Sequence, residues 1–189
     1  LISNFLSFQN QGLSIDVSLH IGSFVAVVVY FYKDLINFYK NKLLFFKMFL
    51  SSLPVMIIGF LLVETNNIEK IRNLEIIAWT TLIFGILLFI SDRFELNKNI
   101  KDNFDFKSAI IIGFLQIFSL VPGVSRSGIA ITSARILKFK RVDAAKISFL
   151  ISIPILGAVS IFGIKNIVLS DNFFFTKINL IAFAFSFIF

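Results

Sequence analysis

Apolar runs alternate with short polar stretches along the chain, and the runs come in two lengths. Asp16–Tyr32, Met48–Val63, Ile76–Ser91 and Ala144–Ile164 approach the length of a membrane span, and Ile178–Phe189 begins another. A helix needs about 20 predominantly apolar residues to cross the hydrocarbon. Between the third and fourth long runs lie two short ones, Ser108–Leu120 and Ser125–Leu137. Pro122 and Gly123 separate them, one lacking an N–H and the other free in its backbone, and both break helices. Two half-length segments around such a break predict a re-entrant helical hairpin with its tip at membrane depth. The alternative is a single kinked span, Ile110–Ile131. Irregular backbone at that depth must be buried in protein or line a cavity. The pattern therefore predicts an all-α polytopic membrane helical bundle, with 1–189 as a single integral membrane domain. Broken helices often occur in pairs, one in each half of an inverted-repeat fold. One is visible here, so a partner upstream of Leu1 would complete such a fold.

The polar stretches set a topology. Lys33, Lys40, Lys42 and Lys47 face Asp34 alone, and Lys138, Lys140 and Arg141 form a second basic cluster. Basic loops stay in the cytoplasm, so both clusters are expected on one side, as the two feet of a hairpin require. Glu64–Glu75 is nearly balanced in charge and reads as a loop on the opposite side. Lys165–Lys177 is a further polar loop, and Leu1–Ser14 reads as interfacial. Trp79 would anchor its span at the interface, and Pro54 would kink the second span.

Composition sharpens this picture. The chain is 57% hydrophobic with 26 Phe, and its mean hydropathy is +0.90. Soluble domains are about 45–50% apolar. The net charge of +7 sits in short loops, which suits the positive-inside pattern and anionic headgroups better than nucleic acid. There is no Cys and one His, so disulfides and cysteine nucleophiles are excluded within the chain. The sequence starts without Met and ends inside the run KINLIAFAFSFIF, so both ends read as truncated.

The chemistry concentrates in Ser119–Ser133, SLVPGVSRSGIAITS. Arg126 arrives just past the helix break with Ser125 and Ser127 beside it. An arginine among apolar segments is costly unless it faces a polar cavity or a partner. Its planar fork of donors matches phosphate oxygens, and hydroxyls with freed N–H groups at a helix start add anion contacts. The stretch predicts a phosphate-binding turn, against the plainer reading of an interhelical loop with a snorkelling Arg. Pro122, Gly123 and Gly128 shape the turn, and Thr132 lies close by. Gln116, about two helical turns before the tip, would line the same cavity or make an interhelical hydrogen bond. Asp92, Glu95, Asp102 and Asp105 lack the calcium-loop pattern and read as solvated loop charges. Arg135, Lys138, Lys140 and Arg141 read as topological. His20 reads as a hydrogen-bonded packing residue.

PGVSRSG, residues 122–128, resembles the second signature of the bacterial undecaprenyl-diphosphate phosphatase family, also called the bacitracin-resistance family. The family pattern is close to PGxSRSGxT. Ala130 stands where that pattern has a hydroxyl, with Thr132 and Ser133 nearby. The resemblance spans nearly the whole chain. QGLSIDVSLHIGSFVAVVVYFYKDL is similar to the family's first long span, LPVMIIGFLL to its next, and DAAKISFLISIPILGA to the helix after the signature. The family's first signature, with paired glutamates and a PxSSTGH-like stretch, is absent and would lie just before Leu1.

The resemblance implies hydrolysis of undecaprenyl diphosphate to undecaprenyl phosphate, which recycles the lipid carrier of cell-wall synthesis. It implies a bacterial plasma (inner) membrane location, with the site facing the periplasm or exterior. Arg126, Ser125 and Ser127 would be catalytic. Pro122, Gly123, Gly128, Gln116 and Thr132 would bind substrate. The implied partners are the lipid substrate and membrane lipids, without nucleic acid, and a homodimer is compatible with them. A divalent cation is admitted, with no ligand for it identified in the chain. The competing class is a membrane carrier or flippase-like protein in which Arg126 binds an anionic phosphate without chemistry.

Overall fold

The computed structural model describes residues 13–40, 42–65, 73–94, 97–169 and 177–188. Leu13–Tyr30 forms α1, and a break at Phe31 leads into α2, Tyr32–Lys40. α3 is Lys42–Glu64 and α4 is Leu74–Asp92. The single turn α5, Ile100–Asn103, interrupts the connector that follows. α6, Phe106–Gln116, tightens into a 3-10 turn over Ile117–Leu120. α7 is Arg126–Ile136, α8 is Arg141–Leu169, and α9 is Lys177–Ile188. The fold is an all-α membrane bundle. Among the described residues, α3, α4 and α8 are each long and apolar enough to cross a membrane.

Two boundaries differ from the sequence reading. The lysine-rich stretch expected as a loop is largely helical, because α2 runs to Lys40 and α3 begins at Lys42 rather than Met48. Leu43, Leu44, Phe45 and Phe46 supply an apolar turn, and lysine stems can cover apolar surface while their charged heads reach polar partners. Lys47 does this inside the protein: its Nζ donates to the Phe104 carbonyl at 2.7 Å. Likewise, 165–169 continue α8. The polar loops expected over 1–12, 66–72 and 170–176, and Glu95, lie outside the described residues. α3 is continuous through Pro54.

The chain groups into two compact units, 1–37 with 153–189, and 38–152. In the first, α1 packs on α9 through small residues. A Cβ at Gly22 would stand 2.5 Å from the Phe183 carbonyl oxygen. The Ser23 and Ser186 hydroxyls lie 2.7 Å apart, and Ser186 Oγ also reaches the Leu19 carbonyl. Lipid tails are as apolar as leucine, so helices in a membrane associate through such close packing and hydroxyl bonds.

The second unit uses the same device. Gly113 of α6 lies against the backbone of Ser51 in α3, leaving 2.7 Å between a would-be Cβ and the Ser51 carbonyl oxygen. Ser51 Oγ donates to the Ala109 carbonyl at 2.8 Å. α7 packs on both α4 and α6. α6 and α7 therefore form a helical hairpin, and its feet are joined. Lys98 pairs with Phe139 in an isolated bridge, with Lys98 N donating to the Lys138 carbonyl and Lys140 N to the Lys98 carbonyl. The Phe104 and Phe139 rings, both buried, sit 6.0 Å apart just beneath. A single kinked span over 110–131 would hold its two ends apart, so the structure selects the hairpin.

Candidate functional site

The tip of the hairpin is built by ordinary turn chemistry. Val124 N donates to the Val121 carbonyl at 3.1 Å, which closes a β-turn with Pro122 and Gly123 at its centre. Proline suits the first central position and glycine the second when the turn is type II. Gly123 has φ +93°, the left-handed region that glycine enters without penalty. A Cβ there would also collide with Thr80 Oγ1 and the Ile77 carbonyl of α4.

Ser125 then caps α7. Its Oγ accepts from Gly128 N at 3.2 Å, and its carbonyl accepts from Ile129 N. Arg126 and Ser127 occupy the first helical turn, where N–H groups have no partner within the helix. The Ser125 and Ser127 hydroxyls are exposed and 3.2 Å apart. The Ser127 carbonyl is held from the side by Ser148 Oγ of α8 at 3.3 Å. Gly128 lies close under the cap, since a Cβ would stand 3.1 Å from Ser125 Cβ.

Arg126 is half-buried. Among the described residues, no carboxylate or carbonyl engages its guanidinium. The contrast with the other two arginines of this region is direct. Asp92 pairs with Arg135 at 3.1 Å and with Arg141 at 2.7 Å. Asp92, read from sequence as a solvated charge, is thus the anchor of two guanidinium groups. Arg135, read as topological, is buried and also donates to the carbonyls of Asp92, Phe94 and Phe139. The sequence shows three arginines near one another; only the fold shows that two of them share Asp92.

The remaining expected residues divide. Pro122, Gly123, Ser125, Arg126, Ser127 and Gly128 come together at the tip. Thr132 is buried and spends its hydroxyl on the Gly128 carbonyl of its own helix at 2.8 Å. Gln116 is fully buried, and neither atom of its amide has a hydrogen-bond partner among the described residues. His20 is half-buried in α1. Three residues escaped the sequence reading: Ser148, Thr80 and Thr81. Thr80 Oγ1 donates to the Pro122 carbonyl at 2.7 Å, and Thr81 Oγ1 to the Gly123 carbonyl at 3.0 Å. Their signal is a pair of hydroxyls in the apolar run of α4, and such residues commonly bond across membrane helices. Among the described residues, no three His, Asp or Glu side chains converge, so these residues do not by themselves build a site for a divalent ion.

Fold and tip together define a class: an integral membrane protein whose short helical hairpin carries a guanidinium, without a counterion among the described residues, between two hydroxyls. The family model described as bacitracin resistance protein BacA matches residues 1–189. An undecaprenyl-diphosphatase of Pelagibacter ubique (strain HTCC1062) is 40% identical over 100% of this chain and 74% of its own length. One from Hahella chejuensis (strain KCTC 2396) is 39% identical over 91% of this chain and 68% of its own length. One from Jannaschia sp. (strain CCS1) is 34% identical over 86% and 66%. The chain belongs to the BacA bacitracin-resistance family.

Proposed function

We propose that the protein hydrolyses undecaprenyl diphosphate to undecaprenyl phosphate and inorganic phosphate in the bacterial plasma membrane. The observation that carries this reading is Arg126, half-buried at a hairpin tip without a counterion among the described residues, in a family whose compared members are named for this hydrolysis rather than for transport. A water oxygen attacks the terminal phosphorus, the bridging P–O bond breaks, and the lipid phosphate leaves. Phosphoryl transfer rests on positioning and on offsetting charge at the phosphoryl oxygens. Arg126 supplies that charge through paired N–H donors. The Ser125 and Ser127 hydroxyls and the unpaired N–H groups of the first turn of α7 bind the remaining oxygens. A hydroxyl nucleophile needs an adjacent base, and among the described residues neither serine has one. The described residues therefore support oxygen binding by the two serines, and a total loss of hydrolysis at one of them would instead mark it as the nucleophile. Gln116 offers its buried amide as a further contact behind the tip. The basic feet of the hairpin face the cytoplasm and the tip is reached from the periplasm or exterior.

The test is hydrolysis of lipid diphosphate by the full-length enzyme. Arg126→Ala and Arg126→Lys both lose about 10³-fold in rate, because an ammonium lacks the planar fork. Ser125→Ala and Ser127→Ala lose less, about tenfold, as expected for one hydrogen bond. Full activity in a monodisperse Arg126→Ala protein would remove the phosphate clamp.

A further inference from the structure

The turn that carries the anion site has carbonyl oxygens as well as donors. A carbonyl oxygen facing a diphosphate would repel it, so where Pro122 and Gly123 direct theirs matters. Both point to α4. Thr80 Oγ1 lies 2.7 Å from the Pro122 oxygen and Thr81 Oγ1 lies 3.0 Å from the Gly123 oxygen. The Thr80 hydroxyl also lies 2.8 Å from the Ile76 carbonyl and 3.1 Å from that of Ile77 in its own helix. One proton is thus offered to three acceptors, and the shortest contact is to the turn. Trp79, Leu82 and Ile83 beside the pair are exposed apolar side chains. The two hydroxyls are polar groups in otherwise apolar surroundings, and both reach the same turn.

Peptide planarity makes the consequence definite. In a trans peptide the N–H points away from the C=O of the same unit, and no cis bond occurs among the described residues. With the Pro122 carbonyl held on α4, the Gly123 N–H points away from α4. With the Gly123 carbonyl held there, the Val124 N–H is aimed back to close the turn on Val121. Gly123 is pressed so near Thr80 and Ile77 that a Cβ would not fit, so turn and helix are in direct contact.

We propose that Thr80 and Thr81 are positioning residues for the phosphate-binding turn: by holding the Pro122 and Gly123 carbonyls on α4, they keep two partial negative charges off the substrate phosphates and fix the entry into α7. They act through the turn and do not touch substrate. The inference rests on the reading of Arg126 as a phosphate clamp. It also gives the apolar α4 a share in the site.

Valine and serine separate this role from packing. Valine keeps the shape of threonine without the hydroxyl; serine keeps the hydroxyl without the methyl. In the full-length enzyme, Thr80→Val and Thr81→Val each lower kcat/KM about three- to tenfold, the range of one neutral hydrogen bond, while Thr80→Ser and Thr81→Ser stay within about twofold of the parent. Elution as a single species in detergent and an unfolding temperature near the parent's qualify each variant for comparison. An active Thr80→Val with an impaired Thr80→Ser assigns the side chain to packing and overturns the proposal, as does parental activity in both valine variants. Arg126→Ala is assayed alongside. If it is inactive while the valine variants are unimpaired, only the positioning role falls. If it hydrolyses normally, the phosphate clamp falls and the positioning role with it.

Discussion

Arg135 holds Asp92 by both its side chain and its backbone. Nε lies 3.1 Å from the carboxylate Oδ1, and Nη2 donates to the Asp92 carbonyl at 2.6 Å. The first contact is ionic rather than a well-directed hydrogen bond, since Nε lacks a partner in good geometry. Asp92 ends α4 and Arg135 lies in the last turn of α7, so the pair fastens the hairpin to the span beside it.

Exposure ranks the two arginines on Asp92. The Arg135 side chain is 5% exposed and that of Arg141 is 72% exposed. Arg135→Ala removes the guanidinium donor of the buried Phe139 carbonyl and of the part-buried Phe94 carbonyl, and the shorter of two guanidinium contacts to the Asp92 carbonyl; a buried group left unpaired costs about 1–3 kcal/mol. It should lower the unfolding temperature in detergent by many degrees. Arg141→Ala, at the surface, should lower it far less, because exposed ion pairs contribute little. Equal effects would mean that burial does not set the weight of these contacts.

The foot of α7 is closed by a Schellman-type pair, with Lys138 N on the Arg135 carbonyl and Phe139 N on the Ala134 carbonyl. Lys138 sits there at φ 73°, a position that glycine takes in most helices ended this way. An L side chain pays about 1–2 kcal/mol for that conformation. Lys138→Gly should therefore raise the unfolding temperature with hydrolysis unchanged, although it removes a surface charge. A fall in stability would show that the lysine side chain has a structural task of its own.

The hairpin and its orientation can be checked from outside. The chain has no Cys, and Lys107 and Lys140 are exposed, one at each foot. Lys107→Cys and Lys140→Cys should both resist an impermeant maleimide in intact cells and both react after permeabilisation. Reaction of one without the other contradicts the hairpin; reaction of both in intact cells reverses the proposed orientation.

Much of this was legible in the sequence because the bilayer simplifies the reading. Span lengths, the Pro122–Gly123 break and the basic feet each carry a strong local signal, and the cluster around Arg126 is contiguous. What stayed hidden depends on partners distant in sequence. Asp92 looks like any loop carboxylate until Arg135 and Arg141 are folded onto it. Thr80 and Thr81 look like two tolerated hydroxyls in an apolar run until the turn docks on them. Thr132 shows the same dependence on the fold: it lies near the motif in sequence, and helix geometry lets its hydroxyl bond back to the Gly128 carbonyl. Boundaries slipped where lysine stems extend a helix past its apolar stretch, as at Lys42.

The short arms of the hairpin also bear on how the protein is made. α7 has 11 residues, about 16 Å of helix, and α6 has 11 followed by a 3-10 turn of 4, about 24 Å together, against a hydrocarbon layer of about 30 Å. Neither arm can be released into lipid by itself, because its end would leave backbone groups unpaired in an apolar medium. Paired, and joined at the feet by Lys98 and Phe139, the two cover each other and lie on a surface supplied by other helices. That surface is α3 and α4, which precede the hairpin in the chain and so leave the ribosome first. The hairpin thus meets its scaffold from both directions of the chain: α3 and α4 are made before it, and α8, whose Ser148 holds the Ser127 carbonyl, is made after it.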